Sequence, residues 1–220
     1  MPKAGRAFPF LIAVALAAFA LAGGAQEQSP NQRLLAAGRA GDAAAVTRAL
    51  AEGAVPDARN RLGETVLVIS LKGDRPEIAR QMITAGSDVN LAALNGVTPL
   101  MAAAHGGHTD IVRLLLAKGA DINAVDRLQK NAMTYAAGQG RAEIVVLLLK
   151  AGMDPNAVYA HQLTALMWAA GYGQSETVKA LLDAGARADL KDDRGKTALD
   201  IAREGNFPDT VKLLQAALRS

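Results

Sequence analysis

The chain contains no cysteine, and only 4% of its 220 residues are aromatic. Without cysteine there can be no disulfide framework, no thiol nucleophile and no cysteine-ligated zinc site. Hydrophobic residues nevertheless make up 50% of the chain. They are mostly alanine and leucine, which favour helices over strands. The composition therefore predicts a helical protein that is stabilised by side-chain packing alone.

The sequence also lacks any long run of basic residues, although its pI is near 9.3. Lys3 and Arg6 lie in an N-terminal leader; without them, 22 of the 24 basic residues remain, against 21 acidic ones. Most non-specific affinity for nucleic acid comes from lysine and arginine side chains that neutralise several neighbouring phosphates. Because the charges are nearly balanced and dispersed, we expect no nucleic-acid partner.

The first 25 residues have the order of a secretory signal peptide. Two basic residues precede an apolar run from Phe8 to Ala22, and Gly23, Gly24 and Ala25 follow that run. This order predicts cleavage after Ala25. An uncleaved membrane anchor is the alternative, but spanning a bilayer needs about 20 apolar residues, a length reached here only by counting both glycines.

Cleavage at this point predicts a mature chain that begins at Gln26 and lies in the periplasm or outside the cell. The alanine-rich leader is typical of bacterial export. No membrane attachment is expected once the leader has been removed. Residues 26–30 then form a short linker before the remainder of the chain.

A sequence repeat runs from about residue 31 to the C-terminus without insertion or deletion. The column of large apolar residues reads Leu34, Leu67, Leu100, Met133, Leu166 and Leu199. The column of small residues reads Ala37, Ser70, Ala103, Ala136, Ala169 and Ala202. Candidate helix caps recur at Thr65, Thr98, Asn131, Thr164 and Thr197, and glycines recur at Gly53, Gly86, Gly119, Gly152 and Gly185. A fixed period of this length, about 33 residues, indicates a stacked repeat array.

The clearest copy begins Thr98-Pro-Leu-Met-Ala-Ala-Ala, continues with Gly107-His108 and an apolar helix, and ends Gly119-Ala-Asp-Ile-Asn123. This pattern resembles the ankyrin-repeat family. The resemblance implies an all-α ankyrin-repeat solenoid of about six 33-residue helix-turn-helix units, with hairpin loops between units and polar terminal caps. It implies one domain over residues 31–220, with units at about 31–59, 60–92, 93–125, 126–158, 159–191 and 192–220.

The sequence departs from the family pattern at one position in every unit. The family histidine of Thr-Pro-Leu-His is replaced by Val68, Met101, Thr134, Met167 and Asp200. In the family this histidine belongs to a polar network that connects adjacent repeats. We therefore expect hydrogen bonding between the repeats to be reduced.

Residues that could carry chemistry are few, and each fits a structural role. His105 and His108 have the spacing of two metal ligands, but a zinc site needs three or four. The remaining histidine, His161, is expected on a hairpin tip. Asp192 and Asp193 are expected on a solvated tip, where nothing would tune them for acid–base work. We therefore predict no catalytic residue, no metal site and no cofactor.

Two glycine pairs, in Gly138-Gln-Gly140 and Gly171-Tyr-Gly173, resemble fragments of phosphate-binding loops. Both recur at the repeat spacing, and neither follows a predicted strand, which a dinucleotide site requires. We interpret them as turns between helices.

In the ankyrin family, ligands usually meet the hairpin tips and the exposed side of the first helices. Mapping these positions onto the chain predicts a partner-binding surface at Tyr135, Trp168, Tyr172, Leu94, Arg127, Leu128, Lys130, His161 and Leu163. Tryptophan, tyrosine and arginine are common interface hot spots, and the leucines are expected to be exposed. Alternatively, Tyr135 and Trp168 simply fill the groove between neighbouring repeats.

Three functions follow as hypotheses. The first is a non-catalytic scaffold that binds another exported protein through its concave face. The second is a dedicated inhibitor or immunity protein that occludes a toxin or an enzyme with the same surface. The third is an enzyme with an unrecognised site, for which the sequence offers no motif.

Overall fold

The computed structural model describes residues 28–219, so the predicted signal peptide (1–25) lies outside the described residues. Within residues 28–219 the chain forms twelve α-helices and no strand. The helices are α1 (Pro30–Ala40), α2 (Ala43–Ala51), α3 (Val66–Lys72), α4 (Pro76–Thr84), α5 (Pro99–Gly106), α6 (Thr109–Ala117), α7 (Ala132–Gly138), α8 (Ala142–Lys150), α9 (Ala165–Gly171), α10 (Ser175–Asp183), α11 (Ala198–Glu204) and α12 (Pro208–Ala217). Consecutive helices pair into six units, so the predicted all-α ankyrin-repeat solenoid is confirmed.

Each first helix from α3 to α11 begins directly after the predicted cap. The side chain of Thr98, for example, accepts a hydrogen bond from the backbone amide of Met101, which would otherwise be unpaired at the helix start. The same bond is made by Thr65, Asn131, Thr164 and Thr197. A cap column that recurs once in each of these units therefore sets the register of all five helices.

The second helices end at the predicted glycine column. Gly119 has a φ of 81° and Gly152 a φ of 101°, in the left-handed region that costs any other residue a Cβ clash. The turns inside the units confirm a second prediction: Gly140 and Gly173, also at positive φ, link α7 to α8 and α9 to α10.

The helices form two layers around one continuous core. Each first helix packs against the first helix of the next unit, and each second helix does the same. The large apolar column lies between the layers, with Leu67 and Met133 fully buried. Ala103, Ala136 and Ala169 are also fully buried, and their small side chains let successive first helices approach closely. No unit can cover its own apolar face, so stacking stabilises the array.

The five residues that replace the family histidine form no hydrogen bond between repeats, in agreement with the prediction from the sequence. Val68, Met101 and Met167 are buried apolar side chains. Thr134 and Asp200 instead accept hydrogen bonds from the backbone amides that begin their own helices.

Other positions do form hydrogen bonds between repeats. The residue before a second helix reaches back to the preceding unit in several units. Arg75 donates to the carbonyls of Gly38 and Arg39, and Gln174 donates to that of Gly138.

Asn90 makes a two-way connection on the opposite side of the array. Its Nδ2 donates to the Gly119 carbonyl while its Oδ1 accepts from the Asp121 amide, and Asn156 repeats the arrangement two units later with Gly185 and Arg187. Polar contacts between units are therefore made by columns other than the one that holds the family histidine.

Hairpin loops project from the array between the units, at 59–64, 92–97, 125–130, 158–163 and 191–196. Neighbouring tips are joined through the backbone amides of Leu94, Arg127 and Asp193, which donate to Leu62, Asn95 and His161 respectively. Among the hairpins of residues 28–219, no such bond links the third to the fourth. There the fourth tip forms a 3-10 turn at Ala160–Gln162, with His161 at a φ of 60°.

The two ends of the array carry the expected polar positions, since Arg48 on α2 and Arg203 on α11 are both exposed. Among the twelve helices in residues 28–219, none has both the length and the apolar character needed to cross a membrane.

Candidate protein-binding face

Asp126 organises the third hairpin, at the centre of the predicted binding surface. Its Oδ1 accepts hydrogen bonds from the backbone amides of Leu128 and Lys130, at 2.8 and 2.9 Å. The carboxylate is buried although it lies in a loop. These bonds hold the exposed residues of the tip, Arg127 and Leu128, in one arrangement.

The second oxygen of the same carboxylate positions Tyr135 on α7. The Tyr135 hydroxyl donates to Asp126 Oδ2 at 2.6 Å. Burial of the phenol, reinforced by the acidic partner, raises the pKa of Tyr135 well above its usual range. The ring also meets His105 of α5 edge-on, with 5.8 Å between the ring centres. Tyr135 is therefore held in one position and stays neutral, and its ring forms part of the surface.

Lys130 lies between the rings of two adjacent repeats. Its Nζ is 4.3 Å from the ring centre of Trp168 on α9 and 5.9 Å from that of Tyr135. An ammonium group over an indole face is attracted by the negative charge of the ring face. This contact holds the cation at the surface beside the aromatic rings.

Tyr172 extends the surface past the end of α9. Its ring stacks on Trp168, with an interplanar angle of 10° and 6.2 Å between ring centres. Tyr172 is 55% exposed. Tyr135 and Trp168 are less exposed, because both pack partly buried against the core. We call Lys130, Tyr135, Trp168 and Tyr172 the aromatic–lysine strip.

The two interpretations of the aromatic residues therefore both describe part of the geometry. Tyr135 and Trp168 do fill the space between successive first helices, as the packing interpretation expects. Both rings are also partly exposed; Lys130 lies over the two of them, and Tyr172 stacks on Trp168.

The leucines predicted to flank the aromatic residues divide into two kinds. Leu94 and Leu128 are 55% and 65% exposed on the second and third tips. The expectation that Leu163 is exposed as well is wrong. Leu163 packs against the core, because its hairpin turns the side chain toward the helices.

His161 on the fourth tip is exposed, but it has a partner. Its Nδ1 lies 2.8 Å from Asp193 Oδ2 on the fifth hairpin. This contact and the backbone bond between the same residues tie the fourth and fifth tips together, so His161 borders the strip without joining it.

Two exposed residues of the surface were not predicted from the sequence. Val125 and Val158 share one repeat column and are 42% and 59% exposed on the third and fourth hairpins. The sequence did contain a signal for their exposure. The two valines lie in consecutive units, in a loop column where the charged residues Arg59 and Lys191 also occur.

A cleft of about 490 Å³ adjoins the strip on the side of α5. Its walls include Asn95, Met101, His105, Tyr135 and Arg141. It offers room for one or two side chains of a bound protein next to the aromatic rings.

The histidines show no metal-binding arrangement within residues 28–219. The ring Nε2 of His108 is 3.2 Å from the Leu71 carbonyl, so this ring is engaged in joining two repeats. No group of three potential ligand side chains lies close enough together in the described part of the chain.

The expectation that Asp192 is solvated is wrong, although Asp193 beside it is exposed. Asp192 has the role of Asp126 in its own hairpin: Oδ1 accepts from the amides of Arg194 and Lys196. Burial acts to raise the pKa of Asp192, but these amides and the Arg194 guanidinium hold it below its usual value. The carboxylate is thus an ionised structural group.

A comparison with protein families matches the chain to the family described as ankyrin repeats (3 copies), over residues 33–126, 72–159 and 133–218. A comparison with curated proteins finds no match.

Proposed function

The chain belongs to the ankyrin-repeat family, and from this premise we propose that it is a non-catalytic scaffold that binds another protein through its concave face. Ankyrin repeats generally mediate protein–protein interactions. The proposed contact surface is the aromatic–lysine strip together with Leu94, Arg127 and Leu128.

One observation carries this assignment: large apolar side chains are exposed on two adjacent hairpin tips, and an aromatic side chain is exposed at the end of α9. Leu94, Leu128 and Tyr172 are each more than half exposed, whereas most large apolar side chains of the described residues are buried. Contiguous exposed apolar surface usually marks a contact site, and tryptophan, tyrosine and arginine often dominate interface energies.

We propose that the scaffold acts in the periplasm or outside the cell. The leader of residues 1–25 supports this, because it has the charge, apolar core and small-residue exit of a cleavable signal peptide. Mass spectrometry of the protein from fractionated cells should find a chain that begins at Gln26 in the soluble exported fraction. A full-length chain retained in the membrane fraction would instead support the anchor.

The binding face is tested by affinity capture from an exported-protein extract, with residues 26–220 as bait. Trp168→Ala removes the ring that Lys130 and Tyr172 contact, so it should reduce recovery of the partner at least tenfold, as expected for a hot spot. The ring-preserving variant Trp168→Phe should retain most of the recovery.

The control Leu218→Ala shortens an exposed apolar side chain at the far end of the array. Its recovery should equal that of the wild type, and all variants should keep the helical circular-dichroism spectrum. Unchanged capture of the partner by Trp168→Ala would contradict the assignment of this face as the binding surface. A captured enzyme whose activity the complex abolishes would favour the inhibitor over the scaffold.

A further inference from the structure

We propose that the occupant of this face is an extended protein segment that directs both acidic and apolar side chains to it. This inference rests on the proposed function and specifies the chemistry of the partner. It is carried by the distribution of charge along the five hairpins.

The centre of the face holds two cations that no carboxylate of the described chain neutralises. Neither Arg127 nor Lys130 forms an ion pair with any residue in 28–219. The nearest acid in sequence is Asp126, whose two oxygens already accept from the hairpin amides and from Tyr135. The third hairpin therefore has a net positive charge, with the single carboxylate of Asp126 buried and Arg127 exposed to a ligand.

Some basic residues of the flanking units are paired with acids. Lys72 lies 2.6 Å from Glu64 in the second unit, and Arg194 lies 2.8 Å from Asp192 in the last hairpin. Lys196 is paired with Glu204 beside it. Arg61 on the first hairpin and Lys191 on the fifth form no ion pair within residues 28–219, like Arg127 and Lys130. The third hairpin differs from these two because one of its unpaired cations lies over the Trp168 ring, so a ligand with both acidic and apolar groups is attracted to it.

Apolar groups are exposed near these two cations. Leu94 and Leu128 are exposed on the second and third tips, which the bond from the Arg127 amide to the Asn95 carbonyl joins. The ring of Trp168, on which Tyr172 stacks, lies under Lys130. In an extended segment, successive side chains point to opposite sides, so every second residue can meet one surface. An acidic residue directed to Arg127 or Lys130 can thus be followed, two positions later, by an apolar residue on the leucines or the rings.

Nucleic acid fits the same surface less well. Its affinity grows with the number of phosphates neutralised, and the unpaired basic side chains on the hairpin beside the rings are Arg127 and Lys130. A segment with one or two carboxylates matches this charge, and its apolar side chains match the leucines and rings.

The only tryptophan of the chain lies in the face, so its emission, excited selectively over that of the three tyrosines, reports on this site. We would titrate residues 26–220 with a blocked hexapeptide in which glutamate and leucine take turns at every second position, with serine between them, up to about 5 mM, a range that covers millimolar complexes. A saturable change in Trp168 emission is expected. The same peptide with glutamine in place of glutamate should bind at least threefold more weakly.

Arg127→Gln removes one of the unpaired cations without touching the indole, and it should weaken the glutamate peptide about threefold, as for an exposed ion pair. Lys150→Gln makes the same change of net charge at the exposed end of α8, away from the hairpins, and should leave the affinity unchanged. Raising the salt concentration should weaken the wild-type complex and affect Arg127→Gln less.

Equal binding of the glutamate and glutamine peptides, or no saturable change with either, would overturn the acidic segment. If a thymidine dodecanucleotide binds more tightly than the peptide and competes with it, the occupant is nucleic acid instead of an acidic segment. If the chain dimerises with increasing concentration and the dimer buries Trp168, the occupant is a second copy of the chain. None of these results depends on partner capture. The proposed function is tested separately, because it would be contradicted by unchanged recovery of the partner with Trp168→Ala.

Discussion

At the scale of single residues, the proposed binding face depends on the buried carboxylate of Asp126. Asp126 joins the third hairpin to α7 because one oxygen closes the loop and the other accepts from the Tyr135 hydroxyl. Lys130 leaves the same loop and crosses to Trp168 in the next unit. The exposed side chains are thus held by buried contacts, which lowers the entropy lost when a partner binds.

The buried phenol of Tyr135 predicts a loss of stability in alkali. Burial, followed by the bond to Asp126, raises the pKa of Tyr135 above the ordinary 10.0. The folded chain therefore keeps the proton that the unfolded chain releases, so the stabilising contribution is complete below pH 10 and declines as the pH rises further.

Tyr135→Phe has no proton to release, and its free energy of unfolding should fall less steeply with pH. The wild type should lose up to about 1 kcal/mol more than the variant between about pH 10 and pH 11, as measured by urea unfolding. Parallel curves for the two proteins would show that the phenol is not protected in the folded state.

At the scale of helices, local sequence specifies where each element begins. A cap needs only one side chain and an amide three residues later, so the column of Thr65, Thr98 and their equivalents predicts five helix starts correctly. The buried columns follow in the same way, since the fixed repeat period places Leu100 and Ala103 on the same face in every copy.

Thr98→Ala tests the contribution of one cap. It leaves the Met101 amide without its partner at the start of α5, and it should lower the free energy of unfolding by about 1 kcal/mol. Thr98→Ser keeps the hydroxyl and should recover most of the loss. A Ser variant as unstable as the Ala variant would assign the effect to the missing methyl group instead of the hydrogen bond.

The hairpins were less predictable, because their contacts depend on side-chain identity at one column. Asp126 and Asp192 close their loops with a buried carboxylate. Tyr159 occupies the equivalent position of the fourth hairpin and has no such group. Its hydroxyl instead accepts from Asn131 Nδ2, and in the described chain this tip makes no backbone bond to the third.

The sequence therefore places the aromatic residues of the proposed binding face but not the geometry of their contacts. The repeat register places Tyr135 and Trp168 on adjacent first helices. It does not determine that Lys130 lies over the indole, since a long side chain has many rotamers, nor that Leu163 turns to the core.

At the scale of the whole molecule, each unit contacts its own helices and those of its neighbours, with no extensive contact between distant units of residues 28–219. Stability in such a chain is approximately a sum of unit terms and nearest-neighbour interface terms. A defect in a terminal unit can then unfold locally, whereas a defect in a central unit weakens the interfaces on both sides.

Two buried leucines separate these cases. Leu34 lies in α1 of the first unit and Leu148 in α8 of the fourth, both fully buried, and truncation of either to alanine should cost about 2–5 kcal/mol locally. Urea unfolding is followed by circular dichroism, which reports all helices, and by the emission of Trp168 in the fifth unit.

With Leu148→Ala both signals should shift together to a lower urea concentration. With Leu34→Ala part of the helical signal should be lost early, while the Trp168 transition stays near that of the wild type. Equal shifts of the Trp168 transition in the two variants would mean that the array unfolds as one cooperative block, and that distant units are coupled more strongly than their contacts indicate.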